Sequence, residues 1–153
     1  MSDQHHLRRV PVWLLNDKSV VYFITCCAAN RQPCLANEEA HQATRSAWSR
    51  LPDWRIGRYV IMPDHLHFFT SPSHREADLS KFMQAFRSLV TRRLRPLGFP
   101  YPLWHREFFD HLLRSGESYE TKWQYVWHNP VRHGLVKRAE DWPFCGEICS
   151  LEF

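Results

Sequence analysis

Residues Trp54 to Ser71 read WRIGRYVIM, PD, HLHFFTS, and the fold turns on this stretch. Trp54 to Met62 and His65 to Ser71 are each rich in β-branched and aromatic residues, as strands are, and Pro63-Asp64 between them is a turn. Two strands joined so tightly make an antiparallel hairpin. Upstream, Val20 to Cys27 (VVYFITCC) is another strand. Asn37-Glu38-Glu39 then sets a capping residue and first-turn acids ahead of a helix from Ala40 to Leu51, stopped by Pro52. Downstream, Phe82, Phe86, Leu89, Val90 and Leu94 recur at helical spacing along Leu79 to Leu94, with Lys81, Gln84, Arg87, Ser88, Thr91 and Arg95 on the other side. Pro96 ends that helix and opens a loop to Pro102. Phe108 to Arg114 (FFDHLLR) is a fourth strand, and Ser115 to Ser118 cap a helix from Tyr119 to Asn129, stopped by Pro130. The order β, α, β, β, α, β, α predicts an α+β fold. It is a ferredoxin-like antiparallel sheet of four to five strands with helices packed on it.

The 153 residues give room for one domain with a substantial core, spanning 1–153, with an N-terminal arm over 1–18 and a C-terminal tail over 137–153. Apolar residues at 44% and charged residues at 24% exclude disordered and fibrous classes. No apolar run approaches the roughly 18 residues of a membrane span, and Met1 to Arg9 lacks the apolar stretch of a signal peptide, so a cytoplasmic protein is expected. Five cysteines without CxxC spacing argue against a disulfide framework and a four-thiolate zinc site, leaving buried, reduced thiols. A net charge of +4 permits a polyanionic partner without demanding one.

Ten histidines are the unusual entry. In a strand, residues two apart share a face, so His65 and His67 can offer two imidazoles to one ion while Leu66 points into the core. With histidine this frequent, one such pair also arises by chance, and two core histidines are the competing reading. The turn before the pair and Phe68 and Phe69 after it, placed to wall off water, favour a site. On the helix ending at Asn129, Tyr119, Trp123, Val126 or Trp127 and Pro130 form an apolar stripe, while Ser118, Lys122, Tyr125 and Asn129 form a polar one. Tyr125 and Asn129, at i and i+4, have side-chain roots about 6 Å apart and can share one site. The alternative is an exposed tyrosine and an asparagine that merely precedes a helix-breaking proline. Tyr22, Tyr59 and Tyr119 fall in core patterns, and Tyr101 lies in the Pro-rich loop.

Four segments together resemble a known family: Tyr22-Phe23-Ile24-Thr25 with Asn30-Arg31-Gln32-Pro33; Val60-Ile61-Met62-Pro63-Asp64-His65-Leu66-His67; Phe108-Phe109-Asp110-His111; and Tyr125-Val126-Trp127-His128-Asn129-Pro130-Val131-Arg132-His133-Gly134-Leu135-Val136. They are similar to the single-tyrosine HUH transposases, and within them to the REP-associated tyrosine transposases of the IS200-like family, from about residue 20 to residue 145. The resemblance implies that His65 and His67 are metal ligands, that Tyr125 is the nucleophile, and that Asn129 takes the position of a third ligand, where related insertion-sequence enzymes carry Gln. It also implies a divalent cofactor, Mg²⁺ or Mn²⁺, and a substrate of single-stranded DNA flanking a hairpin-forming repetitive palindrome. The resemblance further implies that the strand is cut and rejoined through a 5′-phosphotyrosine link, the chemistry of DNA transposition. After Trp142-Pro143 the sequence departs from the family, with Phe144-Cys145-Gly146 in place of a small serine-containing segment.

Arg8, Arg9, Arg87, Arg95, Lys122 and Arg132 are the candidate DNA contacts, each of which can equally be a solvated surface cation. The family includes monomers and homodimers that exchange the tyrosine helix, and the sequence does not choose between them. A rival function is a catalytically silent hairpin-DNA-binding regulator derived from such an enzyme. A small-phosphoester hydrolase fits least, for want of an acidic ligand cluster.

Overall fold

The computed structural model describes residues 20–152, and the candidates Arg8 and Arg9 lie outside that range. The chain runs through β1 (Val21–Ala28), α1 (Glu38–Ser49), β2 (Trp54–Ile61), β3 (His65–Pro72), α2 (Leu79–Leu94), β4 (Trp104–Leu113), α3 (Gly116–Trp127), α4 (Asn129–Arg132) and β5 (Cys145–Glu147). All neighbouring strands are antiparallel, in the order β4-β1-β3-β2-β5. The first four strands thus make the expected ferredoxin-like sheet, and β5 adds an edge.

Because side chains alternate across a sheet, the two faces carry different loads. Tyr22, Ile24, Cys26, Tyr59, Ile61, Leu66 and Phe68 turn to one face, where Ala43, Ala47 and Trp48 of α1 and Phe82, Met83, Phe86 and Val90 of α2 complete the main core. Trp48 centres it, stacked on Phe86 at 5.5 Å and edge-on to Tyr59 at 5.1 Å. Each large side chain fully buried there contributes about 1.5–3 kcal/mol. The opposite face is covered by α3, whose Tyr119, Trp123 and Val126 pack on Val21, Phe69, Val60 and Met62. This second layer places the polar side of α3 beside the end of β4, with Lys122 close enough to act on His67 of β3.

The sequence-based boundaries need four corrections. β4 begins at Trp104 rather than Phe108, because its pairing with β1 continues past an irregularity to Ala28. The helix expected as one piece to Asn129 stops at Trp127, and Asn129 begins α4, with Pro130 in its first turn where a missing N–H costs nothing. Phe68 enters the main core, so only Phe69 stands on the histidine face. The tail is structured: the Phe144-Cys145-Gly146 departure supplies β5, and Phe144 accepts a hydrogen bond from the Ile61 amide at 2.8 Å. Among the described residues all five cysteines are free, but only Cys26 is fully buried, and burial pushes its thiol up to about 12.

Candidate active site

β3 opens at His65, directly across from Cys27 of β1, while His67 lies across from Thr25. The two imidazoles sit side by side on the α3 face, ring centroids 4.6 Å apart and nearly perpendicular at 75°. Each is oriented through Nδ1. His65 Nδ1 donates to Asp64 Oδ1 at 2.7 Å, since a carboxylate can only accept. Asp64 Oδ2 in turn accepts from Arg31 Nε at 2.9 Å. Arg31 reaches it because Asn30 and Arg31 adopt left-handed backbone at φ 56° and 53°, a conformation costing such residues roughly 1 kcal/mol or more each. His67 Nδ1 meets Thr25 Oγ1 at 2.9 Å, and its ring stacks on Phe23 at 5.1 Å. Among the described residues neither Nε2 has a hydrogen-bond partner.

Electrostatics keep both rings neutral. Burial lowers the His67 pKa to about 3, aided by the neighbouring His65 and the Lys122 ammonium. Burial also lowers that of His65, against the pull of Asp64. Burial pushes Asp64 the other way, but hydrogen bonds from His65 and Arg31 outweigh it and hold the carboxyl below the usual range. Neutral imidazole is the form that ligates metal.

Tyr125, near the end of α3, is 61% exposed. With Lys122, Ser118, Glu117 and His111 it lines an open cleft of about 820 Å³ between α3 and the end of β4. Arg132 clasps it from α4. The guanidinium lies 3.7 Å from the Tyr125 ring centroid, and Nη2 donates to the Tyr125 carbonyl at 2.6 Å and to Asn129 Oδ1 at 2.8 Å. Asn129 is buried, not on an exposed polar stripe as the continuous helix would have it. Lys122 links the two halves: its Nζ is 5.1 Å from the Phe23 ring, the same ring that stacks on His67.

The other basic candidates divide. Arg87 spends its guanidinium on the carbonyls of His105 and Arg106, at 3.1 and 2.8 Å, tying α2 to β4. Arg95 stacks on the exposed Tyr101 at 3.7 Å, beside a second cleft of about 1020 Å³ that Arg92 and Arg106 also line. Sequence reasoning missed Thr25 and Asp64 as partners of the histidines. Strand register would have found Thr25, which lies opposite His67 once β1 and β3 are aligned.

The donor set fits a hard divalent cation only in part through histidine. Among the described residues no group of three or more His, Cys, Asp and Glu can hold a metal, so any third protein donor is of another kind. The Asn129 amide oxygen is of that kind; it accepts one bond from Arg132 and has a second lone pair.

The fold and site define an α+β protein whose ferredoxin-like sheet carries a histidine pair on one face, with a tyrosine-bearing helix packed across it. The chain belongs to the IS200-like transposase family, whose model matches residues 17–129. It is similar to the REP-associated tyrosine transposase of Escherichia coli (strain K12), 29% identical over 131 residues, covering 83% of this chain and 76% of that one. Among solved structures it is similar to a REP-associated tyrosine transposase bound to a REP hairpin. That likeness has a TM-score of 0.73 at 25% identity, over 90% of this chain and 79% of that one. A crystal structure from Deinococcus radiodurans R1 shares the fold at a TM-score of 0.52 and 15% identity, over 71% of this chain and 89% of that one. None of the described helices is long and apolar enough to cross a membrane.

Proposed function

We propose that this protein cuts and rejoins single-stranded DNA beside a hairpin, using Tyr125 as nucleophile and His65, His67 and Asn129 as donors to a divalent cation. One observation carries the reading. Two neutral imidazoles, each anchored through Nδ1, leave both Nε2 atoms without a partner among the described residues, on the sheet face that the Tyr125 helix covers. Outer partners of this type are what orient metal-binding histidines. The transposase family and the hairpin-bound relative supply the substrate class.

Bound Mg²⁺ or Mn²⁺ would draw charge from the non-bridging oxygens of the scissile phosphate. Two imidazoles and an amide add no charge of their own. Lys122 lies one turn before Tyr125 in the same cleft, where its ammonium can pair with phosphate. The Tyr125 Oη attacks phosphorus, forming the 5′-phosphotyrosine bond as the bond to the 3′ oxygen breaks; the phenol proton leaves to solvent and the 3′ oxygen takes one up. The covalent link conserves the bond energy, so a 3′-hydroxyl can reverse the step and join strands without ATP.

The test is incubation with labelled hairpin DNA carrying single-stranded flanks, with Mg²⁺ or Mn²⁺, and detection of an SDS-resistant protein–DNA adduct. Tyr125→Phe should form none, and His65→Ala and His67→Ala should lose the adduct while still binding the hairpin. An adduct from Tyr125→Phe would remove Tyr125 from its role. Equal loss of binding and cleavage in the histidine variants would make the pair structural.

A further inference from the structure

Phe109 sits in the middle of β4 and is 53% exposed. Its neighbours in sequence explain the oddity only in part: Phe108 is buried in the main core, as alternation requires, while Phe109 turns to the opposite face. Register puts it directly across from Thr25, the residue that holds His67. Among the described residues no other aromatic ring packs on it. α3 covers the sheet further along, over Phe23, Val21 and Leu113, and leaves this part of the face open.

The open part is a cleft of about 260 Å³ lined by Phe23, Thr25, Phe109, Asp110, His111 and Lys122. It has room for one flat ring system and not for a duplex. His111 and Lys122 also line the larger cleft that holds Tyr125, so the two adjoin. A strand whose phosphate lies at Tyr125 can pass along Lys122, which lines both clefts, into the small one. An exposed aromatic face beside a cation is the arrangement on which single-stranded nucleic acids stack their bases.

We infer that this cleft binds one unpaired base flanking the scissile phosphate, stacked on Phe109, with Lys122 on the phosphate that joins it to the cleavage site. The inference rests on the nuclease reading for the path of the strand, but it predicts binding on its own. Stacking of this kind is worth about 5- to 150-fold per base.

The experiment uses Tyr125→Phe, which should hold DNA without cutting it. Fluorescence anisotropy follows its binding to a hairpin with a short single-stranded tail, intact or with one abasic site at each tail position in turn. One position, or two adjacent ones, should lose affinity by the stated factor when abasic. Adding Phe109→Ala should cost the intact tail as much and abolish sensitivity at that position only. Phe109→Trp should retain the wild-type pattern, whereas Phe109→Leu, apolar but without a ring face, should not. Unchanged binding by the Phe109→Ala variant, or an equal loss on every tail, overturns the proposal. So does sedimentation showing that Phe109→Ala turns a dimer into a monomer, which would place the ring between two copies. A positional abasic effect with no Tyr125-dependent adduct from the wild type would sustain the base cleft and defeat the nuclease reading.

Discussion

The Thr25 hydroxyl can meet His67 in either neutral tautomer. A hydroxyl can accept from Nδ1–H or donate to a bare Nδ1, and only the first leaves Nε2 a lone pair. Thr25→Val removes the hydroxyl while keeping shape. It should weaken divalent-metal binding by about 10- to 100-fold, the usual cost of losing an outer partner of a ligating histidine. Isothermal titration with Mn²⁺ measures this directly, and an unchanged affinity would remove His67 from the ligand set. Arg132 poses a different case. Read from sequence it is one more cation for phosphate; in the structure it grips the Tyr125 ring, the Tyr125 carbonyl and the Asn129 amide. Arg132→Ala should therefore slow adduct formation by tenfold or more with hairpin affinity within about twofold, and Arg132→Lys, lacking the planar fork, should rescue little. A loss confined to affinity would return Arg132 to the role of a phosphate contact. Spacing in the sequence singled out His65 with His67 and Tyr125 with Asn129, and only the family resemblance gave them roles. Their partners were not legible, since Thr25 reaches His67 through strand register and Arg31 reaches Asp64 from a left-handed turn that no local pattern encodes.

Elements with strong periodicity came through nearly intact. α2 runs over the expected Leu79–Leu94 because an apolar face, the Asp78 cap and Pro96 all agree. α3 broke early for a reason hidden from its helical plot: Pro130 suits the first turn of a new helix as well as it ends an old one. β5 was missed because three residues at an edge carry little pattern, and what holds them is distant. The Ile148 and Cys149 amides donate to the Gly57 and Ile56 carbonyls at 3.0 and 2.9 Å, and Leu151 closes over Gly57. A Cβ at Gly57 would meet Leu151 Cδ1 at 2.7 Å and Tyr119 Oη at 2.8 Å. Gly57→Ala should thus cost about 1–3 kcal/mol by overpacking. It should also speed hydrogen exchange at Ile148 and Cys149 more than at β1 or β3 amides. Uniform acceleration across the sheet would show that the tail is not fastened at this point.

Across the whole molecule, the burial that readies the site also sets its tolerance to acid. His41, His65 and His67 all have lowered pKa values, with burial the largest cause for each, and hydrogen bonds lower Asp64 as well. A histidine whose folded pKa is depressed binds fewer protons folded than unfolded, so its stabilisation is complete above the unfolded value near 6.5 and is lost as pH falls below it. For His67 the window runs from 6.5 down to about 3. Between pH 6.5 and 5 that residue alone costs about 2 kcal/mol, or roughly 4–8 °C in Tm for a chain of this size. His74 works the other way, its pKa raised by Asp53 and then Glu76, but it is fully exposed and solvent screens it. Stability should therefore fall steadily from pH 7 to pH 5 in calorimetry, and His67→Gln, which cannot take up a proton, should flatten the slope. Divalent metal should raise Tm near pH 7.5 and lose that effect by pH 5, because protonation and ligation compete for the same imidazoles. A His67→Gln variant with the wild-type slope would mean that acid unfolds the protein elsewhere and that the histidine pair is not the acid-sensitive point of the sheet.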